Sequence, residues 1–157
     1  MPRFRSSRRT SLRLLQAGVL VAIALVQVAG KTEEGGTLEV VVTGLKNDRG
    51  KVVMALIASK ESYEKEDQAL RSAEPEVKNR TVTVRFEDLP YGVYAVKVYH
   101  DENSNEKLDT NWTRIMPKES FGFSNNVMGK FGPPGFDEAK FEFSQSEQKL
   151  EIEIKHP

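Results

Sequence analysis

The sequence predicts an all-β domain: a Greek-key β-sandwich of about seven strands, with one short crossover helix and one long ordered loop. Three observations predict it. After residue 36, apolar and polar residues alternate with a period of two over most of the chain. The alternating runs are separated by clusters of Gly, Asn, Asp and Pro, residues that tolerate turn backbone angles. One stretch alone has helical patterning, and one alone, Thr110 to Lys140, has no regular pattern at all.

The chain of 157 residues begins with a segment of a different kind. Arg3, Arg5, Arg8, Arg9 and Arg13 precede an apolar run from Leu14 to Ala29, and no acid appears before Glu33. A basic start, a short apolar run and small residues at Val28, Ala29 and Gly30 form the order of a signal peptide. The run is short for a membrane span, which needs about 20 residues. Ser7-Arg8-Arg9-Thr10-Ser11-Leu12-Arg13 fits a twin-arginine export signal, with Ser11 where such signals usually carry Phe. It equally fits an ordinary basic start. Residues 1–30 are therefore expected to be a signal peptide, 31–36 a linker and 37–157 the sandwich, in a periplasmic or secreted protein without stable membrane insertion after cleavage.

The strands follow in order. Thr37–Val42 and Lys51–Ala58 flank Asn47-Asp48-Arg49-Gly50, which predicts a hairpin. Ser62–Ser72 reads as the crossover helix, with Ser62 as its N-cap and Glu74-Pro75-Glu76 as its stop. Thr81–Phe86 and Val93–Tyr99, joined through Leu89-Pro90-Tyr91-Gly92, predict a second hairpin. Phe141–Phe143 and Leu150–Ile154 complete the set, with Ile152 and Ile154 facing inward. The segment from Phe86 to Val98 resembles immunoglobulin-like and transthyretin-like sandwiches, where a Leu-Pro-x-Gly turn feeds a strand whose tyrosine, here Tyr94, packs at a sheet corner.

Composition excludes several functions. With no cysteine, the chain has no disulfide, thiol nucleophile or thiolate metal site. Setting aside the five early arginines leaves 18 basic residues against 23 acidic ones, a net charge near −5 for the remainder. Nucleic acid, which demands clustered Lys and Arg, is not an expected partner.

One loop carries candidate chemistry. Counting from Asp101 as position 1, oxygen side chains fall at Asp101, Asn103, Asn105 and Asp109, and the Lys107 carbonyl supplies a fifth donor. This is the front half of an EF-hand-type loop, in which alternate residues turn oxygens onto a hard cation such as Ca2+. Glu106 stands where such loops need Gly, and Trp112 where they place a bidentate Glu. Glu102, Glu106 or Glu119 could close the shell, at the weak ~10⁻⁴ to 10⁻³ M affinity of extracellular modules. The alternative is an Asx-rich turn whose side chains bond their own backbone. The long loop beside it holds Trp112, Phe121, Phe123, Phe131 and Phe136, which either plug one end of the sandwich or form a binding surface. Trp112, Phe123, Asn125 and Asn126 are the candidate ligand contacts.

These blocks together carry a family resemblance. Gly44-Leu45 with Asn47-Asp48-x-Gly50, Leu89-Pro90-x-Gly92-x-Tyr94-Ala95, His100-Asp101-Glu102-Asn103-x-Asn105, Gly122-Phe123-Ser124-Asn125-Asn126 and Phe131-Gly132-Pro133-Pro134-x-Phe136 resemble the domain-of-unknown-function family 2141, exported bacterial proteins. The resemblance spans roughly residues 37–155 and implies compartment and fold, but no activity. Members usually carry Gly where this chain has Ser104 and Glu106.

Three functional classes remain. The first is a non-catalytic module binding an envelope partner, a glycan or a cation. The second is a structural or scaffolding envelope protein without ligand. The third is a hydrolase related in fold to transthyretin-like enzymes, which carry several site histidines and a Tyr-Arg-Gly-Ser tail. Here the histidines are His100 and His156 alone, and the chain ends Ile154-Lys155-His156-Pro157. No Ser/His/Asp set or histidine metal spacing is visible, so no catalytic residue is assigned.

Overall fold

The computed structural model describes residues 34–65, 68–109, 117–129 and 132–157. The described residues all fall within one compact unit, Thr32–Pro157. The expected signal peptide with its arginine pair, Trp112 and Phe131 lie outside the described residues.

The domain is an all-β sandwich of two sheets. Strands β1 (Gly35–Thr43), β4 (Val82–Pro90) and β8 (Glu147–Glu153) form one sheet in the order β4-β1-β8. The other runs β3 (Arg71–Ala73), β2 (Lys51–Ile57), β5 (Gly92–Asp101) and β6 (Phe121–Phe123), with β7 (Phe141–Phe143) also on β5. β1 and β8 are parallel, and every other named pair is antiparallel. Period-two alternation places Leu38, Val40 and Val42 of β1 inward against Val52, Met54 and Leu56 of β2 and Val96 and Val98 of β5. Each such buried side chain is worth about 1.5–3 kcal/mol. Ile152 and Ile154 face in as their pattern requires. Tyr94 holds the corner, its hydroxyl donating to the Pro90 carbonyl at 2.8 Å.

Neither expected hairpin exists. β1 pairs with β4 and β8, and β2 pairs with β5 and β3, so the Asn47–Gly50 connection carries the chain from one sheet to the other. β4 and β5 are separated by Tyr91 alone and also lie in different sheets. Alternation reports which face of a strand is buried but not which strand lies beside it, and a short turn serves a sheet switch as well as a hairpin.

The expected helix is also shorter and earlier. Helix α1 spans Lys60–Glu64 and is capped by Ser59, whose hydroxyl accepts the Ser62 amide at 3.1 Å. The chain beyond returns to β2 through Leu70 N–H to Leu56 O at 2.8 Å, which makes Arg71–Ala73 an edge strand rather than a last helical turn.

The long loop is not patternless. It contains β6, a 3-10 turn at Ser124–Asn126 and helix α2 (Phe136–Ala139). Its described aromatics cover the outer face of the larger sheet rather than one end of the sandwich. Phe123, Ala139 and half-buried Phe136 pack with Tyr63 of α1 over Ile57 and Ala95. The Tyr63 and Phe136 rings meet edge-on at 5.8 Å.

Candidate functional site

The acidic loop starts inside the fold. β5 carries its backbone pairing to Asp101, opposite Lys51 of β2, so the first residue of the loop is held by the sheet. Gly50 lies against it in left-handed backbone, φ +68°, and a Cβ there would stand 1.9 Å from the Asp101 carbonyl oxygen. Only glycine satisfies both demands. His100 anchors the same corner. Its Nε2–H donates to the Arg49 carbonyl at 2.7 Å, and its buried Nδ1 has no hydrogen-bond partner among the described residues.

Asp101 is 0 % exposed, and its carboxylate builds the turn that follows. One oxygen accepts the Asn105 amide at 3.1 Å and the other the Glu106 amide at 2.7 Å. Asn103 Oδ1 also accepts from Asn105 N–H, and Asn105 Oδ1 from Lys107 N–H. The carboxamides of Asn103 and Asn105 donate to the two oxygens of Asp109 at 2.8 and 3.1 Å. Ser104 and Glu106, the positions where glycine was expected, take left-handed backbone at φ +57° and +62°. For residues with a Cβ this conformation costs about 1–2 kcal/mol each.

Glu119 reaches the loop from the far side of the sequence. It is 5 % exposed, and its carboxylate accepts the Asp109 amide at 3.0 Å. Burial pushes its pKa up, and the neighbouring Asp101 and Asp109 charges push the same way. Tyr99, two residues before Asp101 on β5, is pushed up to about 12, first by burial and then by Asp101 and Glu119. Among the described residues no lysine or arginine forms an ion pair with Asp101, Asp109 or Glu119. Lys51, the nearest base on β2, is committed to Glu74 and Glu106.

The five candidate metal residues are thus adjacent, but they are not arranged as a cage. Asn103, Asn105 and Asp109 contact one another directly, Asp101 joins them through the Asn105 amide, and Lys107 enters through its own N–H. Among the described residues no group of three His, Asp or Glu side chains stands ready around a common point.

The second candidate cluster has a structural employment. Ser124 sits between the stretches of β5 paired to β6 and to β7, where the ladder is interrupted. Its hydroxyl oxygen accepts Val96 N–H at 2.9 Å and its O–H donates to the Ala139 carbonyl at 2.5 Å. Asn125 donates to the Glu138, Ala139 and Lys140 carbonyls at the end of α2. Asn126 pairs with β8 as a strand would, donating to Glu151 O at 3.1 Å and accepting Glu153 N–H at 2.7 Å. Phe123 is buried beneath them. Gly122 lets this strand approach, since a Cβ would meet Ile152 Cγ2 at 2.8 Å.

Residues 40–151 match the family described as uncharacterized protein conserved in bacteria (DUF2141). The chain belongs to this family. No curated protein and no solved structure matches it. Both the Asp101–Asp109 loop and the Ser124–Asn126 clasp fall within the DUF2141 stretch. Sequence reasoning placed Glu119 among three acids able to close the loop, and the structure brings it to Asp109. It missed the strand-like use of Ser124 and Asn126, for which a short polar run directly after an aromatic strand is the only signal.

Proposed function

We propose that this DUF2141 chain is an exported, non-catalytic binding module whose Asp101–Asp109 loop takes up Ca2+ weakly, with Glu119 as an added carboxylate. The observation that carries this reading is the convergence of two buried acids and Asp109 on one loop, without an ion pair among the described residues. Buried carboxylates normally carry compensating partners. A hard cation would supply that compensation, and rotation of the Asn103 and Asn105 side chains would turn their oxygens toward it. The partner of the loaded module, a glycan or an envelope protein, would bind across the loop.

The non-catalytic part rests on the two histidines. His100 is buried against the Arg49 carbonyl, and His156 bonds the hydroxyl of Ser120, which is 2 % exposed and shielded from any substrate. A second reading, a scaffold that binds no ligand, is favoured by the loop's own hydrogen bonds, which already occupy the oxygens of both asparagines and both aspartates.

Thermal unfolding with and without calcium separates the two. At a Kd of ~10⁻³ M, calcium at about 10 mM stabilises the folded state by about 1.4 kcal/mol, or roughly 6 °C in Tm. The gain is expected to vanish in Asp109→Asn and Glu119→Gln. No gain in the wild type, or one that survives both substitutions, rejects calcium and leaves the scaffold.

A further inference from the structure

A hollow of about 550 Å³ lies at the opposite end of the β1–β2 connection, lined by Gly44, Leu45, Lys46, Asn79, Arg80 and His156. Its charged lining is wholly basic, in a domain whose net charge is near −5. The Lys46 ammonium and the Arg80 guanidinium form no ion pair among the described residues. Most other described bases do. Lys51, Lys60, Lys65, Arg85, Lys140, Lys149 and Lys155 all hold carboxylates within 4 Å.

The rim is also built rather than loose. Asn79 and Arg80 both take left-handed backbone, φ +53° and +54°, a strained pair for residues with a Cβ. The carboxylate of Asp48 holds them there, accepting Asn79 N–H at 3.2 Å and Arg80 N–H at 2.6 Å. That engagement keeps the Asp48 carboxylate on the backbone of the turn rather than on the arginine head. His156 is fixed through Nδ1, 2.7 Å from the Oγ of buried Ser120, so Nε2 is the nitrogen available to the hollow. Three donors of fixed origin, from the ends of β1, of the 79–80 turn and of β8, thus border one cavity.

We infer that this hollow binds a tetrahedral oxyanion, a phosphate or phosphate ester, between Lys46, Arg80 and His156. Arginine and lysine bind such groups by charge-assisted hydrogen bonds, and the imidazole adds a third donor. The phosphate can be free or part of a lipid headgroup.

The test is calorimetric titration of the purified protein with inorganic phosphate, against chloride at matched ionic strength. Co-sedimentation with phosphatidylglycerol vesicles, against phosphatidylcholine, forms the second arm. Saturable phosphate binding is expected, weakened about tenfold or more in Lys46→Gln/Arg80→Asn and in His156→Gln. Asn at 80 tolerates the left-handed backbone, so the variant is expected to fold, with circular dichroism as the check. Vesicle binding without uptake of free phosphate, lost in the same variants, assigns the site to headgroups. Uptake of free phosphate without vesicle binding assigns it to soluble ligands. Phosphate acting no differently from chloride with no vesicle binding, or binding that persists in both folded variants, overturns the inference.

Discussion

Replacing Ser124 by Ala removes one oxygen from a site where no water can enter, since Ser124 and Val96 are both 0 % exposed. Two bonds go with it. The Ala139 carbonyl keeps a donor in the Asn125 carboxamide at 3.2 Å, so its loss is partial. The Val96 N–H loses the acceptor it has at 2.9 Å, at the point of β5 where neither β6 nor β7 offers a replacement. An orphaned buried amide costs about 1–3 kcal/mol and the lost bond to Ala139 about 0.5–1.5 more, giving roughly 2–4 kcal/mol. For a domain of this size about 4 °C accompanies each kcal/mol, so Tm should fall by about 8–16 °C. Asn126→Gly is the matched control. It also removes two backbone-directed bonds, but at an exposed residue, and glycine keeps the left-handed φ of +53°. Water refills those positions, and the expected loss is at most about 1 kcal/mol. Scanning calorimetry of the three proteins decides the matter. A Ser124→Ala Tm within 2 °C of wild type, or a larger loss in Asn126→Gly, would refute the view that the serine hydroxyl stands in for a missing strand.

Two further outcomes follow from the loop. Glu119 binds its proton more tightly folded than unfolded, because burial and then the Asp101 and Asp109 charges raise its pKa above 4.5. Its contribution to stability is therefore full below pH 4.5 and is lost as pH rises through the folded pKa. In metal-free protein the stability difference between Glu119→Gln and wild type should grow in the mutant's favour from pH 4 to pH 7, and urea midpoints that run parallel would contradict this. At Glu106, glycine relieves left-handed strain at φ +62° and gives up only an exposed ion pair with Lys51, which retains Glu74. Glu106→Gly should gain about 0.5–1 kcal/mol by urea denaturation, and a loss of similar size would mean that position 106 does not hold this conformation.

The strands were legible because β1, β2, β4 and β5 alternate core-facing and outward-facing residues with a period of two. Their pairing was not. Asn47–Gly50 and Pro90–Gly92 have the chemistry of tight turns, but whether a turn returns to the same sheet or crosses to the other depends on the distant partners β4, β5 and β8. Three-residue strands such as Arg71–Ala73 and Phe121–Phe123 are too short to display a period. Arg71 in particular reads as a helix-ending base, whereas its guanidinium lies against the carbonyls of Glu87 and Asp88 on the edge of β4. That contact covers an unpaired strand edge, a use that no local pattern announces. The acidic loop was legible because Asx spacing is itself local. Asn125 and Asn126 were not, because their partners lie 13 to 27 residues away.

The same geometry decides where the cation question can be asked. Asp101 looks like the first ligand of a calcium loop, and its replacement by Ala is the obvious experiment. Yet its two oxygens hold the Asn105 and Glu106 amides, and the second of these fixes a residue in strained left-handed backbone. Removing the carboxylate would collapse the turn whether or not a cation ever binds, so loss of a calcium effect in that variant discriminates nothing. Asp109 and Glu119 differ. Among the described residues the Asp109 carboxylate receives only side-chain amides, and Glu119 joins the loop from outside it, so neither carboxylate sets the Asp101–Glu106 turn. Asp109→Asn and Glu119→Gln keep an oxygen at each position while removing the charge that attracts a cation. A calcium response that depends on charge at these two residues, with the Asp101 turn intact, is a response the hydrogen-bonded turn alone has no means to produce.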